Sequence, residues 1–414
     1  MMGRFRKAGI AALGCSVGAG GLAMALAAAG PFAHARPPVS SAPGAGQSAI
    51  SLRVTSPTPL LAYYYIWFNH SSWNRAKKDY PLIGTYSSGD PSVMRHQIRQ
   101  AKSAGIDGFI VSWKNTPVND QRLQTLMAVA AQEHFKIAMI YQGLNFYRHP
   151  LPISQVAADF GMFRSKFAGN PAMFRLGGKP LTIWSGTWAY THAQVAQVTG
   201  AVRPSMLVLS TEKSAAGFSR IADVTDGDAY YWSSVNPATN THYGPKLNEM
   251  SRKIHRAGEY WIAPFAPGFD ARLVGGSSFV PRDNGQTLRT EYATAVRSSP
   301  DVLGLISWNE FSENSFVEPS VHYRDQSLDV LRQLRGTAPP LLTGPSAPSE
   351  TGATHPHLKS PSVWPNVLRL AGFPIALVIA VGFLGYARRR AARPQFAGPM
   401  HRRSGHRDNN SLTK

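Results

Sequence analysis

Glu310 and Glu313, three residues apart, are the pair in this chain best suited to chemistry. They lie in Trp308-Asn309-Glu310-Phe311-Ser312-Glu313-Asn314, with Glu318-Pro319 just beyond. Three residues of extended chain span at most roughly 10 Å, and side chains so spaced on a helical turn lie about 5–6 Å apart. Either way both carboxyls can reach one cavity. Trp308, Phe311 and Phe316 lower the local dielectric around them. Two neighbouring carboxyls in such a setting cannot both ionise freely, so one pKa rises. That yields one proton donor and one base or nucleophile, the pair that hydrolysis of a glycosidic bond needs. The competing account is a capped turn with solvated glutamates. The position beside Asn309 and among aromatics favours the chemical one.

Aromatic residues point to the same class of ligand. Trp67, Trp113, Trp184, Trp232 and Trp308 lie at or near the ends of expected strands, with Tyr65, Tyr230 and Tyr231. Singly, each fits barrel packing as well as a binding wall. Together they suggest a cleft of flat apolar faces, against which sugar rings pack their C–H surfaces. Other chemistries find less support. The 13 histidines are scattered without an HExxH, no G-x-S-x-G elbow occurs, and Cys15 is the one cysteine, which rules out intrachain disulfides and a cysteine zinc cluster. Asp223, Asp226 and Asp228 crowd one strand, where turn and capping roles suit them better than a cation site. No metal or cofactor is expected.

The elements that must hold these groups alternate regularly. Short β-branched or aromatic runs at 61–67, 107–113, 136–142, 179–185, 206–212, 227–232, 260–266 and 303–308 are each followed by a helical pattern, near 91–104, 119–134, 153–168, 191–202, 214–222, 243–257, 286–298 and 325–335. Asp90-Pro91 marks a helix start, Asn119 and Ser154 lie near others, and Gly105 and Gly258 fit helix stops. Eight such pairs predict an α/β fold of the (β/α)8 TIM-barrel type, in which chemistry sits at the C-terminal ends of the strands. The alternative, an open doubly wound sheet, would favour a glycine-rich phosphate loop after the first strand, and none is there.

Five stretches carry a family resemblance: Tyr63-Tyr-Tyr-Ile-Trp67, Gly84-Thr-Tyr-Ser-Ser-Gly-Asp-Pro-Ser-Val93, Ala104-Gly-Ile-Asp-Gly-Phe-Ile-Val-Ser-Trp113, Ala266-Pro-Gly-Phe269 and Trp308-Asn-Glu-Phe-Ser-Glu313. Taken in this order over roughly residues 61–335, they resemble family 99 glycoside hydrolases, the endo-α-mannosidases and endo-α-mannanases. The resemblance implies a (β/α)8 barrel, no metal in the chemistry, and cleavage of α-mannosidic bonds with retention through a 1,2-anhydro sugar. It implies Glu310 as the base on the 2-hydroxyl and Glu313 as the acid/base. Tyr65, Trp67, Tyr231 and Arg282 match substrate-contacting positions, and Trp113, Asn309 and Glu318 are further candidates for binding. Three positions depart from the family pattern. Ser312 stands where a histidine is frequent, Ser72-Trp73 replaces a His-Trp pair, and Gln142 replaces an acidic residue. These departures bear on mannose specificity more than on hydrolysis.

Both ends of the chain are expected to be accessories. Arg4, Arg6 and Lys7, an uncharged run and Ala33-His34-Ala35 form a signal peptide over 1–35, with an uncleaved anchor as the alternative. Residues 36–51 read as a linker, 52–336 as the folded hydrolase-like domain, and the Pro/Gly/Ser-rich stretch 337–366 as a stalk. Residues 367–387, uncharged from Leu370 onwards, suit a transmembrane helix, and the arginines of the basic tail 388–414 place the C-terminus in the cytoplasm. The net charge of +20 is concentrated at the ends, and no nucleic-acid module accompanies it. The expected protein is a single-pass cell-surface hydrolase of an α-linked, mannan-like oligosaccharide or polysaccharide. A non-catalytic carbohydrate-binding envelope protein on the same barrel is the alternative, and a part in envelope polysaccharide export a weaker third.

Overall fold

The computed structural model describes residues 57–337. Eight parallel strands form a barrel: β1 (Leu60–Tyr65), β2 (Gly108–Trp113), β3 (Lys136–Gln142), β4 (Lys179–Ser185), β5 (Leu207–Leu209), β6 (Gly227–Ala229), β7 (Tyr260–Phe265) and β8 (Val302–Leu305). Each pairs with its sequence neighbour, and β8 pairs with β1 in register Leu60 to Leu303. The β5–β6 seam closes through a bridge between Ser210 and Asp228. The helices follow in alternation: α1 (Pro91–Ser103), α2 (Pro117–Gln132), α3 (Ile153–Lys166), α4 (His192–Val202), α5 (Ala215–Ser219), α6 (Tyr243–Arg256), α7 (Gln286–Arg297) and α8 (Gln326–Arg335).

Side-chain alternation along the strands builds two cores. Leu61, Tyr63, Ile110, Ala138, Ile140, Leu181 and Ile183 fill the barrel interior. Their neighbours Leu60, Ala62, Tyr64, Phe109, Val111, Trp113, Met139, Tyr141 and Trp184 pack in the layer under the helices. Both faces are covered, so the strands are apolar almost throughout. A separate cluster of Tyr65, Phe68, Trp73, Tyr86, Phe311 and Phe316 sits beyond the end of β1.

Local chemistry fixes the element ends. Asp90 caps α1 by accepting from Ser92 N at 2.8 Å, with proline at the first helical position. The cap of α2 is Thr116, ahead of the expected Asn119, and its Oγ1 accepts from Asn119 N at 3.2 Å. Residue 152, a proline, stands at the α3 cap, so Ser154 falls inside the helix. Gly105 and Gly258 take positive φ just past α1 and α6. Gly227 opens β6 at φ 138°, where a Cβ would come within 2.0 Å of the Tyr260 carbonyl oxygen. β5 and β6 stop earlier than the apolar runs 206–212 and 227–232 suggest, because Thr211, Tyr230 and Tyr231 leave the ladder to line the barrel mouth.

Among the described residues no helix is long and apolar enough to cross a membrane. The expected signal peptide (1–35), linker (36–51), transmembrane helix (367–387), tail (388–414) and all but the first residue of the stalk (337–366) lie outside the described residues.

Candidate active site

The site is built by the chain that leaves β8. Trp308 N donates to the Tyr63 carbonyl at 2.7 Å, fastening the strand's exit to β1. Ser307 N then donates to Ser315 O at 2.7 Å, and Val317 N to Ser307 O at 2.9 Å, so residues 307–317 fold back into a compact loop. Glu310 and Glu313 are its turn residues. Glu310 N donates to Ser307 Oγ at 2.8 Å, and the Glu310 carboxylate accepts from Ser312 N at 3.0 Å. The Glu313 carbonyl accepts from Asp270 N at 2.7 Å, which anchors the turn to the β7–α7 connection.

Both carboxyls are buried, each with 4% of its residue surface exposed. Burial pushes Glu310 up to about 7, opposed by the Ser312 amide and by the Lys77 ammonium. Glu313 lies well above the usual carboxylate range, raised by burial and then by the Glu310 charge, with Arg148 pulling the other way. The pair is therefore split. Burial and the neighbouring charge favour the protonated form of Glu313, whereas Glu310 has a hydrogen-bond donor and a cation that favour its ionised form. Tyr65 and Tyr231 share a hydrogen bond at 2.6 Å between their hydroxyls, and both phenols feel the two glutamate charges.

Beside this quartet the barrel mouth holds a narrow hollow, lined in part by Tyr65, Gln142, Arg148, Ser185, Lys213 and Tyr231. Tyr65, Gln142 and Ser185 stand in phase with the inward-facing Tyr63, Ile140 and Ile183, so strand parity delivers them to the mouth.

The other sequence candidates have different surroundings. Trp67 is half-buried and leans on the Tyr65 ring at 4.2 Å between centroids. Asn309 is fully buried: its Oδ1 accepts from Tyr65 N at 2.8 Å, and its Nδ2 donates to Tyr65 O at 3.0 Å. Glu318 is sealed away from the mouth, accepting from Gln97 Nε2 at 2.7 Å and Tyr86 Oη at 2.9 Å. Arg282 is buried between Phe316 and Tyr323 and donates to the carbonyls of Asn314 and Phe316 at 3.1 and 2.7 Å. Trp113 has no exposed surface; its indole donates to Asp120 at 3.1 Å, in the layer under the helices. Trp184 and Trp308 are likewise fully buried, and none of the five tryptophans lines the hollow, whose aromatic wall is Tyr63, Tyr65, Tyr230 and Tyr231 with Trp188 from the short turn after β4. Trp113, Asn309, Arg282 and Glu318 are thus buried, and none of the four lines the hollow.

Arg148, Lys213 and Lys77 were not singled out by sequence reasoning. They sit in loops, where no periodicity marks them, and the runs of charge that draw notice lie at the chain ends. Among the described residues no group of three His, Cys, Asp or Glu side chains is placed to hold a metal ion. Asp226 and Asp228 are engaged with Arg203, Ser210 and backbone amides, and Asp223 with His192.

A sequence model of glycosyl hydrolase family 99 matches residues 69–333. The chain belongs to glycosyl hydrolase family 99. The match covers the glutamate turn, every barrel strand except β1, and the lining of the hollow apart from Tyr63 and Tyr65. Rat glycoprotein endo-alpha-1,2-mannosidase is 22% identical over 266 residues, covering 59% of this chain and 57% of the rat protein. The mouse protein of the same name is 22% identical over 282 residues, with the same coverage. The chain thus spans a little over half the length of the curated relatives it matches. Among solved structures, the family 99 endo-alpha-mannosidase from Bacteroides thetaiotaomicron, in complex with Bis-Tris-propane, has a similar fold. The TM-score is 0.59 at 21% identity, over 69% of this chain and 100% of that one.

Proposed function

We propose that this protein is a retaining glycoside hydrolase that cleaves α-mannosidic bonds, with Glu310 and Glu313 as its catalytic pair. The observation that carries the reading is two buried carboxyls of unequal acidity on one turn of a family 99 barrel, beside the tyrosines Tyr65 and Tyr231 that line the hollow at its mouth. Glu310 takes the proton of the 2-hydroxyl. The freed oxygen attacks C1, the bond from C1 to the leaving oxygen breaks, and that oxygen receives the Glu313 proton. Water then attacks C1 of the 1,2-anhydro sugar and gives its proton to Glu313, the C1–O2 bond breaks, and Glu310 returns its proton to O2. Two displacements at C1 leave the α configuration unchanged. Tyr65 and Tyr231, next to both carboxyls, are placed to hydrogen-bond the sugar during this exchange.

The accessory segments of the sequence support a location at the cell surface, with the barrel outside and residues 367–387 in the membrane. A glycan-binding protein without turnover is the second reading, favoured by the neutral Gln142 in the lining of the hollow, whose Nε2 donates to the buried Ser112 Oγ at 3.0 Å.

Product analysis separates them. The full-length protein is expected to release α-configured products from α-mannan oligosaccharides and to leave intact a substrate that is 2-deoxy at the cleaved unit. Efficient cleavage of the 2-deoxy substrate would rule out the 2-hydroxyl route, and binding with no product would favour the second reading.

A further inference from the structure

Resting on the hydrolase reading, the composition of the hollow narrows the substrate. Its lining carries two full positive charges, Arg148 and Lys213, and no carboxylate. Neither cation has a carboxylate in direct contact, although the charges of Glu313 and Glu212 reach Arg148 and Lys213 respectively. Among the described residues no hydrogen bond or ion pair holds the Arg148 guanidinium, and the Lys213 ammonium lies over the Trp188 ring at 4.2 Å. Glu212, the acid next to Lys213, already pairs with Arg220 at 3.1 Å. Lys114 adds a third positive charge close to Arg148, which depresses the Lys114 pKa beyond the effect of burial alone. Like charges gathered in a partly desolvated recess repel unless an anion joins them.

The backbone that presents Arg148 is itself unusual. The β3–α3 connection folds into a tight loop, bridged between Leu144 and Pro150, with Asn145 N donating to His149 O at 2.9 Å. Arg148 occupies the left-handed region, φ 68°, within it. A long-chain L residue in that conformation is strained, and such strain gathers at ligand-binding positions. Here it brings a guanidinium to the barrel mouth from a loop that would otherwise point charge to solvent.

We infer that the hollow takes an anionic sugar, a mannoside unit carrying a phosphate or a carboxylate, with its charged oxygens held between Arg148 and Lys213. The planar guanidinium suits two oxygens of one anionic group, and the ammonium supplies a point charge from the facing loop. Both anions share this chemistry, so the experiment uses one ligand of each kind.

Binding to full-length Glu313→Gln protein is measured by calorimetry for three matched α-mannosyl oligosaccharides: neutral, phosphorylated and uronate-bearing. This reads preference without turnover, so its outcome is independent of whether hydrolysis occurs. At least one anionic ligand is expected to bind about tenfold or more tightly than the neutral one, by a margin that shrinks as salt is raised. The preferred ligand identifies the anion as phosphate or carboxylate. Arg148→Gln and, separately, Gln142→Glu are expected to bring the ratio towards one, and a matching near-ultraviolet spectrum verifies their fold. Equal or weaker binding of both anionic ligands, or a preference untouched by Arg148→Gln in folded protein, overturns the inference. If the anionic ligand binds tightly but the wild type cleaves none of the three, the hydrolase reading falls and the anion site stands.

Discussion

The two glutamates differ through what touches each. The Ser312 amide and the Lys77 ammonium favour the charged form of Glu310, and burial together with the Glu310 charge favours the neutral form of Glu313. The base of the proposed reaction must be ionised, so kcat/KM is expected to rise with pH through about 7, the value to which burial lifts Glu310. It falls again where Glu313 loses its proton. Lys77→Met removes a charge that holds the Glu310 pKa down, and the ascending limb is then expected to move to higher pH with the fold unchanged. A pH–rate profile on a soluble mannoside measures both. An ascending limb near pH 4.5, or one that Lys77→Met leaves in place, contradicts this account of Glu310.

At the scale of elements, the β8 exit loop positions the pair, and its hydrogen bonds to β1 hold it. Asn309 closes two of them against the backbone of Tyr65 and lies within 3.3 Å of the Tyr86 hydroxyl. Truncation to alanine leaves the buried amide and carbonyl of Tyr65 without partners, at about 1–3 kcal/mol for an unsatisfied buried group. Asn309→Ala is therefore expected to lower stability by about 2–4 kcal/mol in a denaturant titration, and to lower activity by displacing Tyr65. A loss below about 0.5 kcal/mol, the usual range for a surface change, would show that the clamp is not needed. The same elements explain which parts of the site could be read in advance. Glu310 and Glu313 stood out because their spacing and aromatic setting are chemical signals in themselves. Trp113 and Trp184 did not declare their surroundings through residue type, since a tryptophan serves core and cleft equally. Strand parity does separate them: both share the outward phase, of Phe109 and Val111 in one case and Tyr141 across the ladder in the other, whereas Tyr65 and Gln142 share the inward one. Arg282 and Glu318 are buried polar residues, and only the folded chain reveals their partners.

For the molecule as a whole, the eight-fold alternation was legible because buried parallel strands and capped helices leave period and punctuation in the sequence. The closure of the β5–β6 seam by a single bridge, and the convergence of loop cations on one mouth, are products of tertiary geometry without local signature. The barrel also buries an unusual set of acids. Glu318 is raised to about 8 and the half-buried Glu259 to about 7 by burial, and Asp228, Glu291 and Glu313 are raised as well. A carboxyl whose folded pKa exceeds its unfolded value binds more protons in the folded state, so its stabilising contribution is complete below the unfolded pKa and is lost as pH rises through the folded one. The melting temperature of the barrel is therefore expected to fall between about pH 5 and pH 8, and Glu318→Gln is expected to flatten part of that slope. A melting temperature that rises across this interval contradicts the assignment of these acids as protonated when folded.

The most direct measurement compares wild-type full-length protein with Glu310→Gln and Glu313→Gln on α-mannan oligosaccharides, all three shown to be folded by circular dichroism. Positioned proton transfer contributes typically about 10²–10⁴-fold, so each substitution is expected to lower kcat by at least a hundredfold while the oligosaccharide still binds. Wild type and both variants cleaving α-mannosides at equal rates would contradict the catalytic role of the pair.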